Sequence, residues 1–381
     1  MWPLVYFFAV ILTTGYCLLI LIYFSWFTRL KQFKPGTATL PLNRFSIVIP
    51  ARNEENNIEN CLHSILKNNY PSSLFEIIVV DDFSVDNTAA VVTKMQQQFS
   101  NIKLIRLQDS IKTKINSYKK KAIETAIEHA AFEWIITTDA DCTVQEEWLN
   151  LFNNYLQATD AVFVAAPVKF TNNKSFISIF QSLDFISLQG ITAASVSAGV
   201  HSMCNGANLV YSKEVFNKVD GFAGVEDIAS GDDMLLMHKI KLQYPGKIGY
   251  LFNGGSTVET MPMTNWKNFI NQRIRWASKA SSYGDRKIFI VLLLVYLFNL
   301  TLFLLPLISV FYPPLLLLWL RLLLAKTVCE MIFMYPVSKF FGEQKLLWYF
   351  PLMQPLHIIY TVVYGWLGKF GKYEWKGRKV K

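Results

Sequence analysis

Hydrophobic and polar residues occur in blocks along the chain, and the blocks separate strongly apolar ends from a mixed central part. Residues 2–27 are apolar and uncharged, long enough to cross a ~30 Å hydrocarbon core as a helix. Segments 288–311 and 315–335 are predicted to be further spans. Segment 348–367 is apolar but interrupted by prolines, so we expect it to lie in the membrane interface or to re-enter.

Positively charged residues beside these segments predict the orientation of the chain in the membrane. Lys and Arg are enriched on the cytoplasmic side of membrane proteins, and Arg29, Lys31 and Lys34 directly follow the first apolar segment. We therefore predict a multi-pass protein of the cell (inner) membrane whose central domain faces the cytoplasm. The predicted parts are an N-terminal transmembrane helix (1–28), a cytoplasmic domain (29–286), C-terminal membrane segments (287–368) with two spans and one interfacial or third span, and a basic cytoplasmic tail (369–381).

The central part alternates short apolar runs with helical patterns. The predicted strands are 45–50, 75–80, 102–107 and 134–138, and the predicted helices between them begin near residues 53, 89 and 119. This alternation favours a mostly parallel sheet with helices on both faces, so the expected fold class is α/β. Open sheets of this kind bind ligands at the carboxyl ends of their strands. The sequence contains neither the dinucleotide-binding glycine pattern nor a P-loop.

Composition agrees with membrane attachment. Of the 381 residues, 52% are hydrophobic and 17% are charged, whereas soluble chains contain roughly 45–50% apolar and about 25% charged residues. A wholly soluble or disordered protein is therefore excluded. The net charge of +9 is typical of cytoplasmic flanks beside anionic lipids. Since the sequence contains no nucleic-acid-binding motif, the expected partners include membrane lipids and no nucleic acid.

Acidic residues follow two of the predicted strands. Asp81 and Asp82 follow the second strand, and Asp139 and Asp141 follow the fourth. Two carboxylates separated by one residue offer the hard oxygen ligands that Mg²⁺ or Mn²⁺ prefers. Aspartates at such places also serve as turn or helix-capping residues. Taken alone, the residues leave both alternatives open.

Three further groups lie where predicted elements begin or end. Lys119 opens a lysine run before a helix, where it could neutralise phosphate or simply be solvated. Asp232 and Asp233 open an apolar helical run, where a carboxylate could accept a proton from a hydroxyl or cap the helix. The run from Gln272 to Trp276 precedes the second apolar segment, where its arginine and tryptophan would also suit an interfacial anchor.

In this order, the pieces resemble the signature of inverting family 2 glycosyltransferases with a GT-A domain. The matching stretches are Val48–Glu54, Val79–Asp86, Thr138–Asp141, Gly231–Asp233 and Gln272–Trp276. The flanking apolar segments also resemble the synthases of cellulose, hyaluronan and poly-N-acetylglucosamine. The resemblance implies a hexosyl- or N-acetylhexosaminyl-transferase that uses a nucleotide-sugar donor, with a UDP-sugar favoured. It also implies Mg²⁺ or Mn²⁺ as cofactor and a lipid, lipid-linked or polysaccharide acceptor.

The resemblance also implies a role for each matching residue. Nucleotide-sugar binding falls to Asp81, Asp82, Lys119, Asp139, Gln272, Arg275 and Trp276. Asp139 and Asp141 match the metal motif, and Asp233 matches the general base. The acceptor side is assigned to Asn205, Gly206, Asn208 and Asp232.

The chain departs from the family pattern in two respects, and two other functions remain open. Position 232 carries Asp where many polymer synthases carry Glu, and the membrane segments are few. Transfer of a single sugar is therefore at least as well supported as processive synthesis. One alternative is a non-catalytic membrane scaffold of a polysaccharide assembly complex, although the intact acidic motifs count against it. The other is a hydrolase that uses Asp139 and Asp233 as paired carboxylates, which would have to lie ~5–10 Å apart.

Overall fold

The structure, a computed structural model, describes residues 2–36, 40–110, 115–171, 175–228, 230–278, 286–370, 373–375 and 378–380. Its helices are α1 (Trp2–Arg29), α2 (Ile58–Leu66), α3 (Thr88–Gln98), α4 (Leu107–Ser110), α5 (Tyr118–His129), α6 (Trp148–Ala158), α7 (Phe176–Ser197), α8 (Lys213–Lys218), α9 (Asp232–Gln243), α10 (Trp266–Ala277), α11 (Arg286–Ser309), α12 (Pro314–Phe341) and α13 (Phe350–Phe370). Its strands are β1 (Phe45–Ala51), β2 (Phe75–Asp81), β3 (Ile102–Arg106), β4 (Trp134–Thr137), β5 (Cys142–Thr143), β6 (Phe163–Ala165), β7 (Val168–Phe170), β8 (Leu209–Ser212), β9 (Ile248–Tyr250), β10 (Val258–Thr260), β11 (Tyr373–Trp375) and β12 (Arg378–Val380).

A seven-stranded sheet in the order β3-β2-β1-β4-β8-β6-β9 forms the centre of the mixed part. The strands β3, β2, β1 and β4 are parallel to one another, and β8 runs antiparallel to both β4 and β6. A smaller sheet contains β5, β10 and β7, and β11 pairs with β12 as an antiparallel hairpin. The predicted α/β fold with a mostly parallel sheet is confirmed.

Both faces of the sheet are buried, as the continuous apolar runs predict. Because successive side chains on a strand point to opposite faces, Ile47 and Ile49 pack with α2 and α3 while Val48 packs on the other face. That second face is covered by α5, and its core continues into the long apolar helices α1, α7 and α12. One face of the sheet therefore shares its hydrophobic core with the apolar helices, and the other face has a core of its own.

Four helical segments of the described chain are long and apolar enough to cross a membrane: Pro3–Arg29, Phe176–Ser197, Lys287–Ser309 and Gln344–Gly368. The second of these is largely enclosed by the protein, with 72% of its most apolar window buried. The last segment includes α13, which is a continuous helix across Pro355 and not the interrupted segment that its prolines suggested. Pro351 lies in the first turn of α13, where the missing N–H has no intrahelical partner to lose.

The predicted span at 315–335 corresponds to α12, which carries buried charge. Lys326 Nζ lies 2.6 Å from Gln354 Oε1 of α13 and 2.8 Å from Glu330 Oε1. Tyr16 of α1 donates a hydrogen bond to the same Glu330 carboxylate. Buried charges among apolar helices are tolerated where they are paired in this way. The cluster therefore links α1, α12 and α13 through buried hydrogen bonds and an ion pair.

A buried carboxylate in the sheet makes stability depend on pH. Glu76 of β2 accepts hydrogen bonds of 2.6 Å from Lys103 Nζ, from Ser46 Oγ and from the Ala131 N–H. Burial alone would raise the pKa of Glu76, but these partners, Lys103 foremost, lower it below the ordinary value. A carboxylate whose pKa is lowered by folding stabilises the protein above its unfolded pKa, and this stabilisation is lost as the pH falls through the folded pKa.

We therefore expect Glu76→Gln to lower the unfolding temperature near neutral pH, and expect the deficit to shrink as the pH falls below about 4. The measurement is thermal unfolding of both proteins in detergent over a pH series. A deficit that is the same at every pH would contradict the assigned charge of Glu76.

Candidate active site

Two loops at the carboxyl ends of β1 and β2 hold each other in a fixed arrangement. Arg52 Nη1 donates hydrogen bonds of 2.7 Å to the backbone oxygens of Asp82 and Phe83. Asn53 and Phe83 both adopt left-handed backbone conformations, with φ of 52° and 54°. Asn53 is also bonded across the loops, because its N–H donates to Ser84 Oγ. The loop contacts explain why α2 begins later than its sequence pattern predicts.

These loops place Asp81 and Asp82 inside the protein at the sheet edge. Asp81 is 3% exposed and Asp82 is 2% exposed. Asp81 Oδ1 has no hydrogen-bond donor among the residues that the structure describes. Buried acceptors are nearly always hydrogen-bonded, so this oxygen is suited to a donor from a ligand.

A lysine joins acidic residues from two other elements. Lys119, in the first turn of α5, places Nζ 2.7 Å from Asp139 Oδ1 and 3.7 Å from Asp232 Oδ2. Asp139 follows β4 and Asp232 begins α9, so three separate elements meet here. Burial by itself would lower the pKa of Lys119, but Asp139 and Asp232 raise it well above its usual value. Lys119 therefore carries a positive charge within the acidic group.

Asp233 lies beside this cluster and is fixed by backbone donors. The Gly206 N–H donates to Asp233 Oδ2 at 3.0 Å, and the Met234 N–H donates to Oδ1 at 2.8 Å. A side chain at position 206 would place its Cβ 3.4 Å from an Asp232 oxygen and 3.5 Å from Lys119 Nζ. Gly231, with φ of 84°, makes the turn that begins α9 with both aspartates in its first turn. The predicted residues 119, 139, 206, 232 and 233 are thus brought together.

The donor set at Asp139 and Asp141 fits a hard divalent cation. One potential ligand atom from each of Asp139, Asp141 and Cys142 lies within 4.8 Å of the others. Burial, followed by the charges of Asp141 and Asp139, raises the pKa of the Cys142 thiol well above its usual value. Mg²⁺ and Mn²⁺ prefer oxygen ligands to the softer sulfur of cysteine, so the expected ligands are the two carboxylates. Two carboxylates with room for water and phosphate oxygens suit Mg²⁺ or Mn²⁺.

Among the predicted acceptor-side residues, Asn208 is an anchor of its loop. Its Nδ2 donates to the backbone oxygens of Pro167 at 2.7 Å and Ser256 at 2.8 Å, and its Oδ1 accepts from Trp148 Nε1 at 3.0 Å. The residue is 0% exposed, so an acceptor cannot reach this side chain. Asn205 is half-buried, and its Oδ1 accepts from the Ala207 N–H. Asn208 thus acts on the loop and not on a ligand.

Gln272, Arg275 and Trp276 all lie on α10, which packs against α13. The Trp276 ring lies 6.0 Å from that of Phe185 on α7. These packing contacts support the helix from the side of the apolar helices. The closure of these three residues over a pyrophosphate stays a prediction.

Two buried residues, Arg273 of α10 and Asp184 of α7, were not predicted from the sequence. Arg273 is 1% exposed, and its Nη2 lies 2.7 Å from Asp184 Oδ2 of α7. The available signal was Asp184, the one charged residue in the largely apolar segment 176–197, because a buried charge requires a partner.

Comparison with protein families gives the class of the protein. Residues 46–220 match "Glycosyl transferase family 2", and residues 134–367 match "Glycosyl transferase family group 2". The chain belongs to glycosyl transferase family 2. The resemblance inferred from the five ordered motifs is therefore confirmed.

Individual relatives resemble parts of the chain. The "Glycosyltransferase AglE" of Haloferax volcanii is 30% identical over 135 residues, which are 35% of this chain and 42% of the relative. The "Poly-beta-1,6-N-acetyl-D-glucosamine synthase" of Staphylococcus epidermidis is 25% identical over 238 residues, or 61% of this chain and 53% of the relative. The chain thus spans about half the length of these curated relatives.

A solved structure supports the fold over nearly the whole chain. The "Mannosyltransferase PcManGT from Pyrobaculum calidifontis in complex with GDP-Man and Mn2+" matches with a TM-score of 0.61 and 18% identity. The match covers 93% of this chain and 99% of that protein. At this level of identity the likeness shows the fold, which agrees with the predicted GT-A type.

Proposed function

We propose that the protein is an inverting glycosyltransferase that moves a hexosyl or N-acetylhexosaminyl group from a nucleotide-diphosphate sugar to a hydroxyl group. The acceptor is a lipid, a lipid-linked glycan or a polysaccharide at the membrane. One observation carries the proposal: Lys119, Asp139, Asp232 and Asp233 converge from separate elements. They do so beside the strand ends where sheets of this type bind ligands.

Asp233 is the general base. Each carboxylate oxygen accepts one backbone hydrogen bond, which fixes the group and leaves further lone pairs for an incoming hydroxyl. Asp233 takes the proton of that hydroxyl while its oxygen attacks the anomeric carbon. The attack comes from the face opposite the nucleoside diphosphate, so the C–O bond to phosphate breaks with inversion of configuration.

Asp81 and Asp82 hold the base and ribose of the donor, for which the unsatisfied Asp81 Oδ1 provides an acceptor. Lys119 places positive charge where the diphosphate leaves. Asp139 and Asp141 would hold Mg²⁺ or Mn²⁺, which when bound neutralises charge on the departing diphosphate. The Mn²⁺ and GDP-Man named for the mannosyltransferase support a donor and cofactor of this kind. The relative named for N-acetylglucosamine polymer synthesis supports an N-acetylhexosaminyl group as the transferred sugar, and the preference for a UDP-sugar rests on the resemblance of the motifs.

We also propose that the active site faces the cytoplasm, at the inner membrane of the cell. The support is the position of Arg29, Lys31 and Lys34 at the end of the apolar helix α1, because such residues are retained on the cytoplasmic side. Nucleotide sugars dissolved in the cytoplasm would then reach Asp81 and Lys119 directly.

The test is incubation of the full chain, in membranes or detergent, with a panel of UDP- and GDP-sugars, Mn²⁺ or Mg²⁺, and membrane lipid extract. We expect one sugar to be transferred, and mass spectrometry of the product identifies both the sugar and the acceptor. UDP and GDP binding is measured in parallel with and without Mn²⁺. A chain that binds neither nucleotide with either metal and transfers none of the sugars would overturn the proposal.

A further inference from the structure

A buried charge pair connects the long apolar helix α7 with α10. Arg273 and Asp184 are 1% and 7% exposed, and Nη2 of the arginine lies 2.7 Å from Oδ2 of the aspartate. The contact is an ion pair and not an aligned hydrogen bond. His357 of α13 adds a second neighbour, with Nε2 3.9 Å from Asp184 Oδ1. Three helices thus meet at the Asp184 carboxylate.

The Arg273 guanidinium is otherwise surrounded by aromatic rings. Its central carbon lies 4.1 Å from the ring centre of Trp276, 5.0 Å from that of Phe269 and 6.0 Å from that of Tyr360. A guanidinium over a tryptophan ring is attracted by the negative face of the ring, most strongly where water is excluded. The second described ring contact of Trp276 is with Phe185, the neighbour of Asp184 in the chain. Trp276 therefore contacts both Arg273 and Phe185. Asp184 is the ion-pair partner of Arg273 and the chain neighbour of Phe185.

Helix geometry separates Arg273 from the residues assigned to the reaction. Gln272, Arg275 and Trp276 occupy positions i, i+3 and i+4 of α10 and so share one face. At 3.6 residues per turn, Arg273 lies about 100° around the helix from Gln272, and it is enclosed by protein. Trp276 is the residue that both groups share. A shift of Arg273 would therefore displace the Trp276 ring, which belongs to the face of α10 proposed to contact the substrate.

We propose that Asp184 is a positioning residue for sugar transfer: it holds the Arg273 guanidinium against Trp276 and so fixes the α10 face that closes over the donor and acceptor. This inference rests on the proposed function. The pair is not needed to fill the space, because a buried ion pair can often be replaced by apolar residues of similar volume without loss of stability. What the charges add is a defined position of the guanidinium group, between the Asp184 carboxylate and the Trp276 ring.

The main test replaces the pair without leaving a buried charge. The double variant Asp184→Leu with Arg273→Met is expected to fold, to bind donor nucleotide with a Kd within about twofold of wild type, and to lose about tenfold or more in kcat, since small misplacements of reacting groups have effects of this order. The single variant Asp184→Glu keeps both charges of the pair, and we expect its kcat to lie between those of the double variant and the wild type. Thermal unfolding measures the folded fraction, to which every kcat is referred.

A second experiment tests whether Asp184 and Arg273 act on the reaction through Trp276. Trp276→Phe is combined with the double variant, and we expect the triple variant to be no slower than the slower parent, because both changes disrupt the same arrangement. Effects on kcat that simply multiply would overturn the proposal. A double variant with kcat per folded molecule within about twofold of wild type would also overturn it.

Glu330→Gln is the matched control. Glu330 is likewise a buried carboxylate paired with a buried cation among the apolar helices, but the hydrogen bonds and ion pairs described for this pair are with α1 and α13 and not with α10. We expect this variant to lower thermal stability while the kcat of its folded fraction stays at the wild-type level. Wild-type protein that transfers no sugar would refute the proposed function, whereas wild-type transfer with an unaffected double variant would refute only the positioning role.

Discussion

Asp233→Asn is expected to lower turnover by about 10²–10⁴-fold, the usual contribution of a general base. Asparagine has nearly the same shape, and its Oδ1 can keep one of the two backbone hydrogen bonds that now come from Gly206 and Met234. What it loses is the ability to take a proton from the acceptor hydroxyl. Donor binding should stay near the wild-type value because Asp81, Asp82, Lys119 and the metal ligands are unchanged. Product formation gives kcat, and calorimetry with the nucleotide gives Kd.

Two matched substitutions decide whether the effect belongs to Asp233. Asp160→Asn alters an exposed aspartate that pairs with Lys247 on the surface, and we expect wild-type kcat and Kd from it. Asp232→Asn alters the neighbouring acid, whose oxygen lies 3.7 Å from Lys119 Nζ, and we expect a smaller loss than for Asp233→Asn. Near-normal turnover of Asp233→Asn, or a larger loss in Asp232→Asn, would remove Asp233 from the role of base.

The central strands could be predicted because each is a short apolar run that ends in polar residues. β1, β2 and β4 lie where their sequences indicate, and the acids that follow β2 and β4 lie at the same edge of the sheet. Parallel strands guarantee this, since their carboxyl ends meet at one edge. The local pattern and the topology rule therefore suffice to place Asp81, Asp82, Asp139 and Asp141 together.

Helix α7 could not be predicted from periodicity. Sixteen of the 22 positions of Phe176–Ser197 are buried, including nine consecutive residues from Ser178 to Ile186 that cover every side of the helix, so the helix has no exposed polar face. A helix that is buried all round lacks the amphipathic stripe on which sequence prediction depends. Gln181 and Asp184 pair with residues far away in the chain, Met263 and Arg273, and a local pattern carries no information about such partners.

In the candidate site, too, local sequence predicts some features, and packing between distant segments decides the others. Motif order identifies Lys119, Asp139 and Asp233, but the approach of Gly206 to Lys119 and Asp233 depends on how the loop before β8 packs. Asn208 shows a second limit, because its place beside the motif indicates a residue of the acceptor-side loop but not that its amide donates to two backbone oxygens within the protein. Burial and partner choice are set by packing between distant segments, and a motif does not encode them.

Removal of divalent metal is expected to abolish most sugar transfer, and Mn²⁺ or Mg²⁺ should restore it. A bound metal stabilises charge on the leaving diphosphate by several kcal/mol, and about 1.4 kcal/mol corresponds to tenfold in rate, so a loss of roughly a hundredfold or more is expected. Asp141→Asn should reproduce this loss and raise the Mn²⁺ concentration needed for activity. Asp141 is the residue to substitute because Asp139 also pairs with Lys119, so that a change at Asp139 would disturb the lysine as well as the metal site.

Cys142→Ala is the control for this prediction, since the thiol lies next to the two carboxylates but a sulfur atom is a poor ligand for Mn²⁺ or Mg²⁺. We expect the same Mn²⁺ dependence from this variant as from wild type, together with Mn²⁺ binding in the presence of nucleotide as seen by electron paramagnetic resonance. Full activity after exhaustive chelation would contradict a metal-dependent reaction. A large shift in Mn²⁺ affinity for Cys142→Ala, with none for Asp141→Asn, would instead assign the site to the sulfur and overturn the carboxylate assignment.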